Sequence, residues 1–212
     1  MLEIKSFCFG PFETNCYVVS DEQGNVLLID PACSNEWEQQ ELLDYIEQLP
    51  ITNYQLQIVA THGHLDHLWG AKWATEQWHT PVLMHEADIP MAQAMQEQYR
   101  LFGIRKTAEP FETAPIENLQ SPITNNQSPM STFQVLHTPG HTPGSISLYF
   151  PEEKVLFSGD TLFCMGYGRT DLPGGNYGQL LDSLEHLFTL PSDVRVFPGH
   201  GEPTTIGAER RF

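Results

Sequence analysis

Thr61-His62-Gly63-His64-Leu65-Asp66-His67 places four metal-capable side chains within six residues, directly after an apolar run. Gly63 lets the backbone turn sharply, so alternate side chains can converge on one point. Imidazole nitrogen and carboxylate oxygen suit Zn²⁺ and also Fe or Mn, and the absence of thiolate argues against a purely structural zinc site. The plainer reading is a polar loop whose histidines cap the next helix; four such side chains together favour a metal centre. Three further loops add candidates: His141 in Thr138-Pro139-Gly140-His141-Thr142-Pro143-Gly144, Asp160 in Ser158-Gly159-Asp160-Thr161, and His200 in Pro198-Gly199-His200-Gly201. Each follows a short apolar segment, and strand ends are where a rigid sheet aims ligands into a common cleft. Five histidines and two aspartates result, a set large enough for two divalent ions.

These loops need strands and helices behind them. Residues 2–9, 15–20 and 25–30 read as strands, separated by Gly10-Pro11 and by Asp21-Glu22-Gln23-Gly24. Asn35 followed by Glu38 predicts a helix start, and Leu42, Ile46 and Leu49 keep one apolar face until Pro50. A strand over 55–60 precedes the histidine cluster, and helices are predicted from about Leu68 to Trp78 and from about Ala87 to Leu101. Residues 103–132 hold four prolines among polar residues and show no periodicity, which predicts a long surface excursion and a route for substrate. Strand character returns at 133–136, 145–150 and 155–157; in the second of these Ile146, Leu148 and Phe150 alternate with polar residues. Tyr177, Leu180, Leu181, Leu184, Leu187 and Phe188 form a helical stripe, and 194–197 is a last strand. Strands and helices alternate in two halves without a linker, so the reading is one α/β domain over 1–212.

Composition narrows the function. The 212 residues carry 10 Lys and Arg against 27 Asp and Glu, a net charge of −17. Nucleic-acid binding draws its affinity from phosphate neutralisation, so a nucleic-acid partner is not expected, nor is an RNA-processing nuclease. No apolar run approaches the ~20 residues of a membrane helix. The first ten residues include Glu3 and Lys5 without a long apolar stretch, so no secretory signal is expected and the location is read as cytoplasmic. Cys8, Cys16, Cys33 and Cys164 form no Cys-x-x-Cys pair, which argues against a zinc knuckle or redox dithiol.

The order His62-x-His64-x-Asp66-His67, His141, Asp160, His200 resembles the metallo-β-lactamase superfamily over nearly the whole chain, and within it the glyoxalase II group of hydroxyacyl-thioester hydrolases. The resemblance implies an αβ/βα sandwich of two mixed sheets flanked by helices. It also implies His62, His64 and His141 on one metal and Asp66, His67 and His200 on a second, with Asp160 bridging. Aspartate rather than cysteine at 160 departs from the β-lactamases proper, so antibiotic hydrolysis is not expected. Gly168-Arg169-Thr170-Asp171-Leu172-Pro173-Gly174-Gly175 looks like the short, single-domain bacterial glyoxalase-II-like hydrolases; its first four residues are also similar to persulfide dioxygenases. Arg169 either clamps a substrate carboxylate or pairs with Asp171. Full-length glyoxalase II enzymes carry a C-terminal helical segment with basic contacts to glutathione. Here the sequence ends at Arg210-Arg211-Phe212, and the tyrosine expected after the last histidine is absent from Gly201-Glu202-Pro203, so glutathione specificity is not carried over.

Two metal ions, zinc first and iron or manganese next, would bring a bridging water to a pKa near ~7 and supply hydroxide for attack on a small-molecule thioester. A thiol with pKa about 8.5 leaves without a strong general acid. Asp66 is the one evident proton-donor candidate, and the resemblance already makes it a ligand. The competing readings are a mononuclear iron persulfide dioxygenase using His62, His141 and Asp160, and a non-catalytic metal-binding module. Oligomeric state is not legible. Trp69, Trp73 and Trp78 are expected on one helix, packing in the core. His79, His85, His137 and His186 read as structural or surface residues, and Glu86 and Asp88 as aids to the start of their helix. Cys16 reads as buried; packing is also favoured for Cys164, although it could lie near the metals.

Overall fold

A strand buried on both faces reads as a continuous apolar run rather than an alternation, and Val26-Leu27-Leu28-Ile29 is such a run. The computed structural model describes residues 2–50, 54–116 and 133–210. The first half forms β1 (Leu2–Phe9), β2 (Thr14–Asp21), β3 (Asn25–Ile29), α1 (Glu36–Glu47), β4 (Gln55–Val59), α2 (Ala71–Trp78) and β5 (Val82–Met84). A 3₁₀ turn (Glu86–Asp88), α3 (Ile89–Gln93), α4 (Met95–Leu101) and β6 (Thr113–Pro115) complete it. The second half forms β7 (Gln134–His137), β8 (Ile146–Phe150), β9 (Val155–Gly159), β10 (Leu162–Phe163), β11 (Gly166–Tyr167), α5 (Tyr177–Leu187), β12 (Arg195–Pro198), β13 (Thr204–Thr205) and α6 (Ile206–Glu209).

One sheet has the order β1-β2-β3-β4-β5-β6 and the other β13-β12-β9-β8-β7. The pairs β1–β2 and β2–β3 are antiparallel, whereas β3 to β6 run parallel. Parallel neighbours need crossovers, which α1 and α2 supply. Side-chain alternation then sorts three cores. Val26 and Leu28 of β3 face α1 to α4, while Leu27 and Ile29 meet Ile146, Leu148, Phe150 and Phe157 of the second sheet. Leu156, on the far side of β9, packs under Leu180, Leu184 and Leu187 of α5. The layers are therefore helix, sheet, sheet, helix, the implied αβ/βα sandwich. In β8 the expected alternation holds, but its polar side is buried as well: Ser147 Oγ lies 3.0 Å from Thr138 Oγ1.

Local signals account for several boundaries. Asn35 accepts from the Trp37 and Glu38 amides, and Glu38 reaches back to accept from Ser34 N at 2.6 Å, the expected helix start. Other expectations are corrected. The helix expected from Leu68 begins only at Ala71, so Trp69 precedes it. Gly70 is pressed against the β3–α1 loop, donating to Pro31 O at 2.8 Å, and a Cβ there would stand 2.3 Å from Cys33 Sγ. Trp69 instead stacks on Phe12, with ring centroids 5.6 Å apart. The helix expected over 87–101 is broken at Ala94 into α3 and α4. Within the expected excursion, β6 extends the first sheet, pairing Ala114 with Leu83; the excursion's remainder, 117–132, lies outside the described residues.

Cys16 and Cys33 are buried, and burial pushes the Cys33 thiol up to about 12 and Cys16 well above its ordinary value. Cys8 and Cys164 are exposed. Titration with a disulfide reagent is expected to count two thiols in the native protein and four after denaturation; four reactive thiols in the native state would contradict this core.

Candidate metal centre

The loops that carry the candidate ligands leave the sheets along one edge of the sandwich. Residues 61–67 follow β4, His141 lies between β7 and β8, Asp160 follows β9 and His200 follows β12. β9 and β12 are parallel, so their carboxyl ends face the same way, the side on which open α/β sheets bind ligands. Two loops are joined across the sheets. Asn15 of β2 donates its backbone N–H to Gly199 O at 2.7 Å and its amide to Pro198 O and Gly201 O at 2.9 Å each. Tyr17 OH donates to Pro198 O at 2.6 Å.

All seven residues singled out converge. His62, His64 and His141 form one group able to hold an ion, and Asp66, His67 and His200 another; His62, His67 and Asp160 connect them, with ligand atoms in each group within 4.8 Å of one another. Asp160 Oδ1 lies 3.3 Å from His67 Nε2, and Oδ2 lies 3.4 Å from His141 Nε2 and 3.5 Å from His200 Nε2. Asp66 Oδ2 lies 3.5 Å from His67 Nε2 and 3.2 Å from His200 Nε2. Buried polar atoms are almost always paired, yet His62 Nε2, His67 Nε2 and Asp160 Oδ1 have no hydrogen-bond partner among the described residues. Orphaned nitrogen and oxygen donors facing one another are what a borderline divalent ion requires, so the residues fit the metals implied.

Hydrogen bonds behind the rings select which nitrogen faces inward. Thr61 Oγ1 donates to Asp30 Oδ2 at 2.8 Å, so it accepts from His62 Nδ1 at 3.1 Å; His67 Nδ1 donates to the same Asp30 oxygen at 2.9 Å. His141 Nδ1 donates to the Arg169 carbonyl at 2.7 Å and His200 Nδ1 to Phe12 O at 3.1 Å. His64 turns its Nδ1 inward, 2.9 Å from His141 Nε2. Glycines make the approach possible: a Cβ on Gly199 would stand 2.1 Å from Asp160 Oδ1, and one on Gly168 1.8 Å from Asp160 O.

The electrostatics sort the cluster. Burial, then His141, pushes His64 down to about 3, and burial with His67 and His141 holds His62 well below its ordinary value. Burial opposes ionisation of Asp66 and Asp160, but His67 and the neighbouring imidazoles keep both below the usual carboxylate range. Burial opposes protonation of His67 too, but is outweighed by Asp66, Asp160 and Asp30, which hold it well above the ordinary value.

Two aspartates carry roles that sequence reasoning missed. Asp30 is buried with a left-handed φ of 53° and orients His62 and His67 as described; its only sequence signal is a charge ending the apolar run of β3. Asp88 does not aid a helix start. It is fully buried, with Oδ2 accepting from Gly63 N at 2.8 Å and Thr142 Oγ1 at 2.6 Å, and Oδ1 accepting from Gly144 N at 2.6 Å. It thus bolts the His62–His64 turn to the His141 loop.

A cleft of about 380 Å³ opens over the cluster, lined in part by His64, Asp66, His141, Asp160, Arg169 and His200. The Arg169 guanidinium is paired with both carboxylate oxygens of Asp171 at 2.6 and 2.7 Å, the second of the two roles open to it in sequence. His137 is turned away: it donates Nε2–H to Pro143 O and stacks on His85 with centroids 4.1 Å apart. Cys164 sits between β10 and β11, outside the residues lining the cleft.

Asp88→Asn must set an NH₂ against a backbone N–H whichever way the amide is turned. Leaving one buried donor unsatisfied costs about 1–3 kcal/mol, expected as a fall of roughly 3–10 °C in the melting temperature. Because two ligand loops separate, metal affinity should fall about 10- to 100-fold. Calorimetry and metal titration of the variant measure both; unchanged values would remove Asp88 from this role.

The chain matches the metallo-beta-lactamase superfamily over residues 9–200. It is 35% identical over 202 residues to "Hydroxyacylglutathione hydrolase GloC" of Haemophilus influenzae, covering 94% of this chain and 91% of that one. Among solved structures, TTHA1623 in a di-iron-bound form superposes with a TM-score of 0.82 at 35% identity, covering 98% of this chain and 97% of that chain. The B3 metallo-beta-lactamase BLEG-1 superposes with a TM-score of 0.80 at 34% identity, covering 99% and 97%. With its clustered histidines and aspartates, its four layers and this match over most of its length, the chain belongs to the metallo-beta-lactamase superfamily.

Proposed function

We propose that the chain, acting as one domain over 1–212, is a binuclear metal-dependent hydrolase of small-molecule thioesters. The observation that carries the reading is the trio of orphaned buried donors, His62 Nε2, His67 Nε2 and Asp160 Oδ1, of which Asp160 also lines the open cleft. His62, His64 and His141 would hold one ion, Asp66, His67 and His200 the other, and Asp160 would reach both. Zinc suits these donors; iron is equally at home, as in the di-iron form of TTHA1623. When bound, such a pair of ions would supply hydroxide at neutral pH and positive charge for the developing oxyanion. The polypeptide fixes the donors through Asp30, Asp88 and the Arg169 carbonyl, and excludes water from their far sides.

Asp66 accepts from Thr14 Oγ1 at 2.8 Å and, as a ligand, would be an ionised carboxylate with no proton to give. A leaving group must therefore depart as an anion, which a thiolate of pKa about 8.5 does far more readily than an amine. The name of GloC supports a thioester. The name of BLEG-1 favours a second substrate, a β-lactam, despite the aspartate at 160.

Elemental analysis of tag-free protein, with S-lactoylglutathione and a chromogenic cephalosporin assayed on the same sample, tests the reading. About two ions per chain with thioester turnover supports it. Cephalosporin turnover alone points to the lactamase, and one iron per chain with persulfide-dependent oxygen uptake to the dioxygenase. Asp160→Ala is expected to lose one ion and reduce turnover to background; full activity at unchanged metal content would refute the bridging role.

A further inference from the structure

The cleft does not end at the metal-binding side chains. Beyond His64, Phe102 and Leu172, which line both spaces, it continues into a second hollow of about 490 Å³ between α3, α4 and the 172–173 turn. Its walls include Pro90, Met91, Ala94, Leu101 and Pro173. Besides His64, two polar residues line it, and both have other engagements. Gln98 donates to Gly63 O at 2.9 Å and Met91 O at 3.0 Å and accepts from Leu65 N at 2.9 Å, which uses its amide to brace the histidine turn. Glu97 faces Arg100 across 3.7 Å on the open side of α4. Among the described residues no lysine or arginine lines the hollow, and Arg169, the one such cation lining the cleft, is neutralised by Asp171. Leu101 and Phe102 leave 60% and 39% of their surface exposed at this mouth.

An apolar wall that shares residues with a reaction centre, and offers no cation to a carboxylate, selects for hydrocarbon. We propose that this hollow is a substrate subsite that takes an apolar arm of the thioester, with Leu101, Phe102 and Leu172 as its specificity-determining residues. The nature of the scissile bond rests on the hydrolase reading above; the preference for an apolar arm rests on the walls alone. The arm is either the acyl chain or the thiol's alkyl chain, since both radiate from the same carbonyl.

Two substrate series separate these sources: glutathione thioesters with acyl chains from acetyl to hexanoyl, and thioacetates with S-alkyl chains from ethyl to hexyl. In one series kcat/KM is expected to rise about fourfold per methylene, as burial of a CH₂ implies, and that series identifies the arm. Leu101→Glu, at an exposed position away from the metal-binding side chains, should flatten the rise. Leu101→Ala should reduce the slope in the same direction. Turnover that is independent of chain length in both series would overturn the subsite and leave the hydrolase reading standing. If no thioester is cleaved, calorimetric binding of S-hexylglutathione against S-methylglutathione decides. Tighter binding of the hexyl compound that Leu101→Glu abolishes would keep the subsite and discard the hydrolase; equal binding would discard the subsite.

Discussion

Asp160 approaches imidazoles from three separate loops at 3.3 to 3.5 Å, and its buried Oδ1 has no hydrogen-bond partner among the described residues. A buried carboxylate without compensation is costly, so much of the surrounding structure can be understood as the means of holding it there. Gly199 and Gly168 exist as glycines because any Cβ would collide with Asp160 itself. Asn15 and Tyr17 seize the His200 loop from the opposite sheet. Asp30 and Asp88 are two further buried carboxylates, and each accepts hydrogen bonds on both of its oxygens. The contrast is informative. Carboxylates that brace the scaffold are fully hydrogen-bonded, while the one at the centre keeps an oxygen free for something the polypeptide does not itself supply.

What could be read from the sequence followed the range of the interactions. The ligand motif lies within a single turn, and α1 announces itself through Asn35 and Glu38, so both are visible locally. The strands of the two central layers are visible because burial on both faces writes uninterrupted runs such as 26–29. By contrast β5, β6 and β13 span two or three residues, too few for a period, and are strands only because a neighbour's edge accepts them. Asp88 was opaque for a related reason: its partners lie 25 to 56 positions away, and a carboxylate near a helix start looks like a cap. The break at Ala94 is equally nonlocal, since it accompanies the placing of Gln98 under the histidine turn.

The chemistry favoured by the site comes from two layers of selection. The donor set admits zinc, iron or manganese, and Asp66 engaged as a ligand would leave no obvious acid for a poor leaving group. The walls then discriminate by what they lack. Arg169 faces the cleft but contributes mainly through its backbone carbonyl, which orients His141, while its guanidinium is occupied by Asp171. In the subsite proposed above, specificity would arise from apolar area rather than from ion pairing, which would make it graded rather than absolute.

The hydrogen bonds from Asn15 to the loop around His200 span 183 to 186 positions of chain. Contacts of that separation form late in folding, because the entropy of closing so long a loop must be met before they stabilise anything. On a ribosome the histidine turn at 61–67 emerges early and the group of Asp66, His67 and His200 cannot assemble until the final strands have been made. Were that group to hold an ion, its capture would report completed synthesis, because a chain that stops before β12 lacks His200.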